Sequence, residues 1–264
     1  MTSVKRSKIN QLLRVWPVGT VATTPWLSHK GIYQQLAYEY ERSGWLQHLG
    51  SGAYIRSGDE VEWPGGVYAL QKQLALPVHV GGKTALELKG LGHFVAAGEG
   101  TKVYLFASSG KRLPSWFLRH DWKRKIVLKT PRLFDDNSKL ALTAHLFDRF
   151  EILLSAPERA MLEVLHLVPT EESAEEALLL MEGLGTLRPK QVQELLEHCG
   201  SVKAKRLFLA MAERCNHAWL KRVNLKKVNL GRGKRLVVRN GVLDPKYQVT
   251  LPRAESVTSQ TDIK

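Results

Sequence analysis

TTPWLSHKGIYQQLAYEYERSGWLQHLGSGAYIRS, residues 23–57, parses into a capped short helix, a tight turn, a longer helix and a glycine-tipped hairpin. Thr24 is a good N-cap and Pro25 suits the first helical position, so a helix is expected to start there. Lys30-Gly31 breaks it, because glycine enters turn conformations at little steric cost. A second helix follows from Ile32, where Ile32, Leu36 and Tyr40 at i, i+4 and i+8 form one apolar stripe. Gly44 ends that helix. Trp45, Leu46 and Leu49 then make a strand, Gly50-Ser51-Gly52 a tip, and Ala53-Tyr54-Ile55 a returning strand. The pattern is that of a winged helix-turn-helix, whose second helix turns its outer side toward the DNA major groove.

That outer side carries Tyr33, Gln34, Gln35 and Tyr38, with Arg42 near its end. Glutamine can bond both N6 and N7 of adenine, so two of them early on the helix suit base readout. His48, Ser51 and Arg56 on the wing are candidate backbone or minor-groove contacts. Two plainer readings compete: the same positions face solvent on any structural helix, and winged helices also dock proteins.

Composition and charge point to a polyanionic partner. The 264 residues carry a formal charge of +14 with 44% hydrophobic residues, and the pI is near 9.8. Nucleic acid is the usual partner of such a chain, and a membrane surface the alternative. No apolar run is long enough to span a bilayer, and MTSVKRSKIN lacks a signal-peptide hydrophobic region, so a cytoplasmic protein is expected. Cys199 and Cys215, the two cysteines, lack metal-ligand spacing and read as buried free thiols within helices.

The charge is uneven. Acidic residues concentrate between Glu151 and Glu197, while basic ones cluster over Lys111–Lys129, including Arg119, Lys123, Arg124 and Lys125, and over Lys203–Arg239. The second cluster contains Lys221, Arg222, Lys226, Lys227, Arg232, Lys234, Arg235 and Arg239. Phosphate contacts, an acidic partner or a solvated face would each explain these runs.

The expected architecture is α+β: an N-terminal winged helix-turn-helix (1–62), then a larger mixed α/β C-terminal domain (63–252) with a helical second half, then a polar, disordered tail (253–264). Helix 4–15 packs Ile9, Leu12 and Leu13 behind the winged module, and Trp63-Pro64-Gly65-Gly66 reads as a junction. Helices are expected at 66–74 and 84–89, and strands at 78–80, 101–107 and 125–128. Ser155 is a plausible N-cap with Glu158 at capping-box spacing. Further helices are expected at 172–181, 189–198, 202–215 and 218–225. Arg235–Arg239 reads as a strand before an Asn240-Gly241 hairpin turn, and Tyr247–Leu251 as the last extended segment.

Enzymatic patterns are mostly absent. Gly81-Gly82-Lys83-Thr84 resembles the end of a phosphate-binding loop, but Pro77 stands where its first glycine belongs. No histidine or cysteine grouping suits zinc, Asp135-Asp136 and the glutamate pairs lack partners for acid–base work, and Ser155 and Ser201 lie in no nucleophile elbow. No catalytic residue, metal or cofactor is expected.

Several segments, in order, resemble the AbiEi antitoxins of AbiE type IV toxin–antitoxin systems. They are SGWLQHLGSGAYI, GGKTALELKGL with its Ala-Leu-Glu-Leu-x-Gly-Leu motif, SAPERAMLEVL with Ser-x-Pro-Glu-Arg-Ala, and LGRGKRLVVRNGVLDPKYQVTLP. The resemblance implies a non-enzymatic bacterial protein whose N-terminal domain binds inverted repeats of double-stranded DNA in its own promoter. It also implies a C-terminal domain that neutralises a nucleotidyltransferase-like toxin without a stable inhibitory complex. Carried over, DNA reading falls to Lys30, Tyr33, Gln34, Gln35, Tyr38 and Arg42, with wing contacts from His48 and Ser51. Lys123, Arg124, Lys125, Lys226, Lys227, Arg232, Lys234 and Arg235 serve the DNA backbone or antitoxicity, and the sequence does not separate the two. The alternative is an ordinary winged-helix regulator with an effector- or partner-binding C-terminal domain; a nucleic-acid-processing enzyme lacks any site pattern.

Overall fold

Ile9, Leu12, Trp16, Ala22, Leu27, Ile32, Ala37, Tyr40 and Leu46 are all buried and close one core, and the elements that supply them make the winged module. The computed structural model describes residues 2–92, 102–134 and 139–253. Helix α1 (Thr2–Val15) leads to the short strand β1 (Ala22–Thr23), helix α2 (Thr24–His29) and helix α3 (Gln34–Arg42). Strands β2 (Leu46–Gly50) and β3 (Ala53–Arg56) form the wing, and β1 completes a three-stranded antiparallel sheet in the order β1-β3-β2. Gly31 at φ +75° makes the inter-helix turn and Gly52 at φ +83° the wing tip; both are conformations that glycine alone enters without strain.

Two helix starts differ from expectation by a residue or two. Helix α2 is capped by Thr23 rather than Thr24, and the Thr23 side chain makes no cap bond, because β1 has already drawn that residue into pairing with Ala53. Helix α3 begins at Gln34, not Ile32, since Ile32 is still in the turn with its N–H bonded to the Leu27 carbonyl.

Trp63-Pro64-Gly65-Gly66 is no junction. It is the buried start of helix α4 (Trp63–Tyr68), prolonged by a π-helical turn, Ala69–Gln73. Its glycines allow close packing instead of a hinge: a Cβ on Gly65 would collide with the Gly19 carbonyl, and one on Gly66 would lie 2.7 Å from the Trp122 ring. Strand β4 (Val78–Val80), helix α5 (Gly82–Leu88), strand β5 (Lys102–Ala107), helix α6 (Ser115–Arg119) and strands β6 (Lys125–Lys129), β7 (Leu142–Phe147) and β8 (Phe150–Ser155) follow. The sheet order is β6-β5-β4-β8-β7, with β5–β6 and β4–β8 parallel and the remaining pairs antiparallel. Thr84 lies inside α5, and its hydroxyl accepts the Tyr104 N–H and donates to the Lys102 carbonyl.

The α6 helix and the β7–β8 hairpin are not among the expected elements. Strand β8 runs through Ser155, so helix α7 (Pro157–Leu167) begins after Ala156, and the Glu158 carboxylate bonds Arg188. Helices α8 (Ala174–Glu182), α9 (Pro189–His198) and α10 (Val202–Arg214) follow; Ser173 caps α8 and Ser201 caps α10 through their hydroxyls. In place of the helix expected at 218–225 there are two 3-10 turns, Ala218–Arg222 and Leu225–Lys227.

Arg235–Arg239 forms no strand. Only Arg235 bridges to Val249, because the Val237 and Val238 N–H groups both donate to the Thr250 hydroxyl. The last hairpin pairs β9 (Val242–Asp244) with β10 (Val249–Leu251). It closes where the Asp244 carboxylate accepts the Lys246 and Tyr247 N–H groups, not at Asn240-Gly241. The tail beyond Arg253, Thr101 and the Asp135-Asp136 pair lie outside the described residues.

The chain divides into two units, Met1–Ala85 with Val95–Ala156, and Leu86–Phe94 with Pro157–Lys264. The first holds the winged module and the five-stranded sheet. The second is helical with the terminal hairpin, and charge runs through its interior. Arg159 and Glu163 pair at 2.9 Å while almost fully buried. The Arg206 guanidinium donates to the carbonyls of Leu230, Gly233 and Gln248, which fixes the segment between them.

Candidate nucleic-acid interface

Helix α3 is divided lengthwise. Ala37 and Tyr40 are buried, Leu36 packs against the core, and Gln34, Gln35, Tyr38 and Arg42 face solvent. The division follows from helical spacing, which sends positions 36, 37 and 40 to one side and 34, 35, 38 and 42 to the other. Gln34 and Gln35 occupy the first turn, directly after Tyr33 at the N-cap. Tyr33 and Tyr38 are 67% and 58% exposed, unusually open for rings that would otherwise be packed. Lys30, at the start of the inter-helix turn, is exposed with its ammonium 5.7 Å from the Trp26 ring centre.

On the wing, Ser51 stands at the exposed tip and His48 is exposed with its ring edge-on to Tyr54 at 5.3 Å. The tip is tied to the start of α2 by the Thr24 N–H, which donates to the Gly52 carbonyl. Arg56 is not a free wing cation. Its guanidinium donates to the Leu13 carbonyl at 2.7 Å and lies over the Trp16 ring at 5.4 Å, so it fastens the wing to α1.

The wing also rests on a floor that sequence reasoning missed. Leu49, Gly50 and Ser51 face Trp116, Arg119 and His120 of the α6 segment across a shallow cleft. A methyl group on Gly50 would meet Trp116 Cβ at 3.1 Å. Burial lowers the His120 pKa, with the Asp121 carboxylate opposing and Lys123 adding to the shift, which favours the neutral imidazole. The one signal in the sequence is Pro114 ahead of Trp116-Phe117, too short a pattern to identify a helix.

Lys123, Arg124 and Lys125 are exposed in the same unit as the winged module. Lys123 is partly neutralised by Asp121 at 2.6 Å. Lys226, Lys227, Arg232, Lys234 and Arg235 are exposed in the second unit, the last three on the segment held by Arg206. The two basic clusters therefore fall in different units.

Among the described residues no cluster of three or more His, Cys, Asp or Glu side chains could hold a metal. The Thr84 hydroxyl of the glycine-rich loop is bonded to backbone. Cys199 and Cys215 are free and sit at helix C-termini rather than within helices; burial first of all pushes each thiol up to about 11. No helix among the described residues is long and apolar enough to cross a membrane.

Two family models match the chain. One, described as a transcriptional regulator, AbiEi antitoxin N-terminal domain, covers residues 5–97. The other, described as a transcriptional regulator, AbiEi antitoxin, type IV TA system, covers residues 100–252. No curated protein matches. Among solved structures, the RV2827C protein from Mycobacterium tuberculosis is similar with a TM-score of 0.56 and 16% identity, over 93% of this chain and 90% of that one. At that identity the likeness is one of fold.

Proposed function

The chain belongs to the AbiEi antitoxin family, transcriptional regulators of type IV toxin–antitoxin systems, and from that premise we propose that it represses its own operon and neutralises the partner toxin. Repression falls to α3 in the major groove of promoter inverted repeats, one copy per half-site. Gln34 and Gln35 read base edges, Lys30, Tyr33, Tyr38 and Arg42 flank them, and His48 and Ser51 of the wing contact the backbone.

The observation that carries this reading is the composition of the open face of α3. A helix that docks protein presents aliphatic anchors at i, i+3 and i+4; this one presents two amides, a phenol and a guanidinium. Those groups match base edges and phosphates, and the aliphatic positions are all turned inward.

Neutralisation falls to residues 63–252, acting on a nucleotidyltransferase-like toxin without a stable complex. The chain works in the cytoplasm, without a cofactor and without turnover of its own. Purified protein is expected to prefer the DNA upstream of its own gene over random duplex at low ionic strength, and failure to bind that DNA would refute the repressor role. Co-expression with the neighbouring toxin-like gene is expected to restore growth. DNA binding without rescue would leave an ordinary winged-helix regulator.

A further inference from the structure

The wing hairpin lacks a cation of its own. Residues 46–55, LQHLGSGAYI, contain neither lysine nor arginine, and Arg56, which follows them, is engaged by the Leu13 carbonyl and the Trp16 ring. A cation does stand across the cleft beneath the wing. Trp116 and Arg119 lie one turn apart on α6, so their side chains share a face of that helix. Trp116 is buried, and its Cβ lies 3.1 Å from where a methyl on Gly50 would stand, which turns this face toward the wing tip. Arg119 thereby reaches the rim of a cleft of about 250 Å³ whose other wall is Leu49, Gly50 and Ser51.

The charges around that cleft are not equivalent. Asp121, the acid in its lining, is held by the Lys123 ammonium at 2.6 Å and also accepts the Lys123 N–H, so these two compensate each other. Arg119 is exposed and pairs with no side chain among the described residues. Its position relative to the winged module is also fixed. The Thr23 N–H donates to Gln73 Oε1 at 2.8 Å, and Gln73 Nε2 donates to the Val21 carbonyl at 2.7 Å. That amide occupies the free edge of β1 and ties the module to the helix that leads into the five-stranded sheet. A cation held on such a frame requires little backbone ordering when a partner arrives.

We infer that Arg119 binds the DNA backbone beside the wing, so that three elements hold the duplex: α3, the wing and α6. This rests on the repressor reading above and adds to it a contact from outside the winged module. The chemistry fits a phosphate. Ser51 brings a hydroxyl to one side of the cleft, and the Arg119 guanidinium brings a planar set of N–H donors to the other, the geometry that grips phosphate oxygens in pairs. Such a contact carries no sequence information; it fixes the register in which Gln34 and Gln35 meet the bases.

Binding of the full chain to the duplex upstream of its gene, over a salt series, tests the inference. Arg119→Gln is expected to weaken binding to the upstream and a shuffled duplex alike, and to flatten log K against log salt by about 0.9, the share of one phosphate. Arg119→Lys keeps the charge and is expected to keep the slope. Lys190→Gln, an equal charge change at an exposed position on α9, is expected to bind as wild type does. Hydroxyl-radical footprinting is expected to show one flank of the protected tract shortened in Arg119→Gln alone. A slope or a footprint unchanged in Arg119→Gln, or equal losses in the lysine and glutamine variants, overturns the contact and spares the repressor reading. A wild-type chain that ignores the upstream duplex overturns both.

Discussion

Replacing Gln34 and Gln35 together by alanine separates recognition from folding on the proposed reading helix. Both side chains are exposed in the first turn of α3, so their removal deletes no packing from the free protein. Alanine is the better helix former, and surface changes of this kind move stability by about 0.5 kcal/mol or less. On DNA the loss is larger. Each bidentate glutamine–adenine contact contributes about 1–3 kcal/mol of discrimination, and about 1.4 kcal/mol is a factor of ten in affinity. Loss of one such contact should weaken binding to the promoter repeat by one to two orders of magnitude, roughly, while thermal unfolding stays in place. Fluorescence anisotropy with the upstream duplex and a shuffled duplex, at one fixed salt concentration, measures the ratio. If the double variant keeps the wild-type preference for the repeat, α3 is not the reading helix, however weak the absolute binding becomes.

Other expectations are as direct. Neutralising Lys226, Lys227, Arg232, Lys234 and Arg235 together is expected to lower DNA affinity and flatten the plot of log K against log salt; an unchanged slope would assign these charges to toxin neutralisation. Glu158 is 2% exposed and accepts the Arg188 backbone N–H, Nε and Nη2 at 2.9, 3.0 and 3.1 Å. Burial alone would raise its pKa, but those bonds outweigh burial and hold it below the ordinary carboxylate value. A carboxylate depressed in the folded state stabilises above its unfolded pKa of about 4.3 and loses that contribution as pH falls further. Glu158→Gln should therefore cost about 1–3 kcal/mol at neutral pH in urea denaturation, tempered by the 63% exposure of Arg188, and the gap should close in acid. Equal destabilisation at both pH values would contradict this. Gly66→Ala should destabilise by about 1–3 kcal/mol by overpacking, because the new methyl meets Trp122 and Phe117 at 2.7–2.8 Å; an unchanged melting temperature would count against that packing.

The winged module was readable because its signals are local. Ile32, Leu36 and Tyr40 recur at helical spacing, and Gly31 and Gly52 stand where the chain needs positive φ. The expected helices at 189–198 and 202–215 likewise match α9 and α10. The β7–β8 hairpin was not legible, since Asp148-Arg149 lacks the glycine that announces a tight turn and FEILLS runs into a helical pattern. Trp63-Pro64-Gly65-Gly66 misled for a related reason: paired glycines look like a joint, and only the packing of Gly19 and Trp122 explains them. Charge was the weakest guide. Arg56 reads as a surface wing residue until the Leu13 carbonyl and the Trp16 ring come beside it. Arg206 belongs to a basic run in sequence yet is buried among carbonyls. Of the open face of α3, by contrast, every residue followed from the stripe that had to be hidden.

The support of the wing by Trp116 and its fastening by Arg56 fix the span between Ser51 and the first turn of α3. On the proposed DNA-binding reading, that span would act as a ruler. If α3 and the wing hold a duplex as proposed, a loose wing would tolerate operators of different groove width, whereas this one would transfer the mismatch to the duplex, which would bend or twist to fit. Base pairs beneath the gap, touched by no side chain, would then be selected for their pliancy.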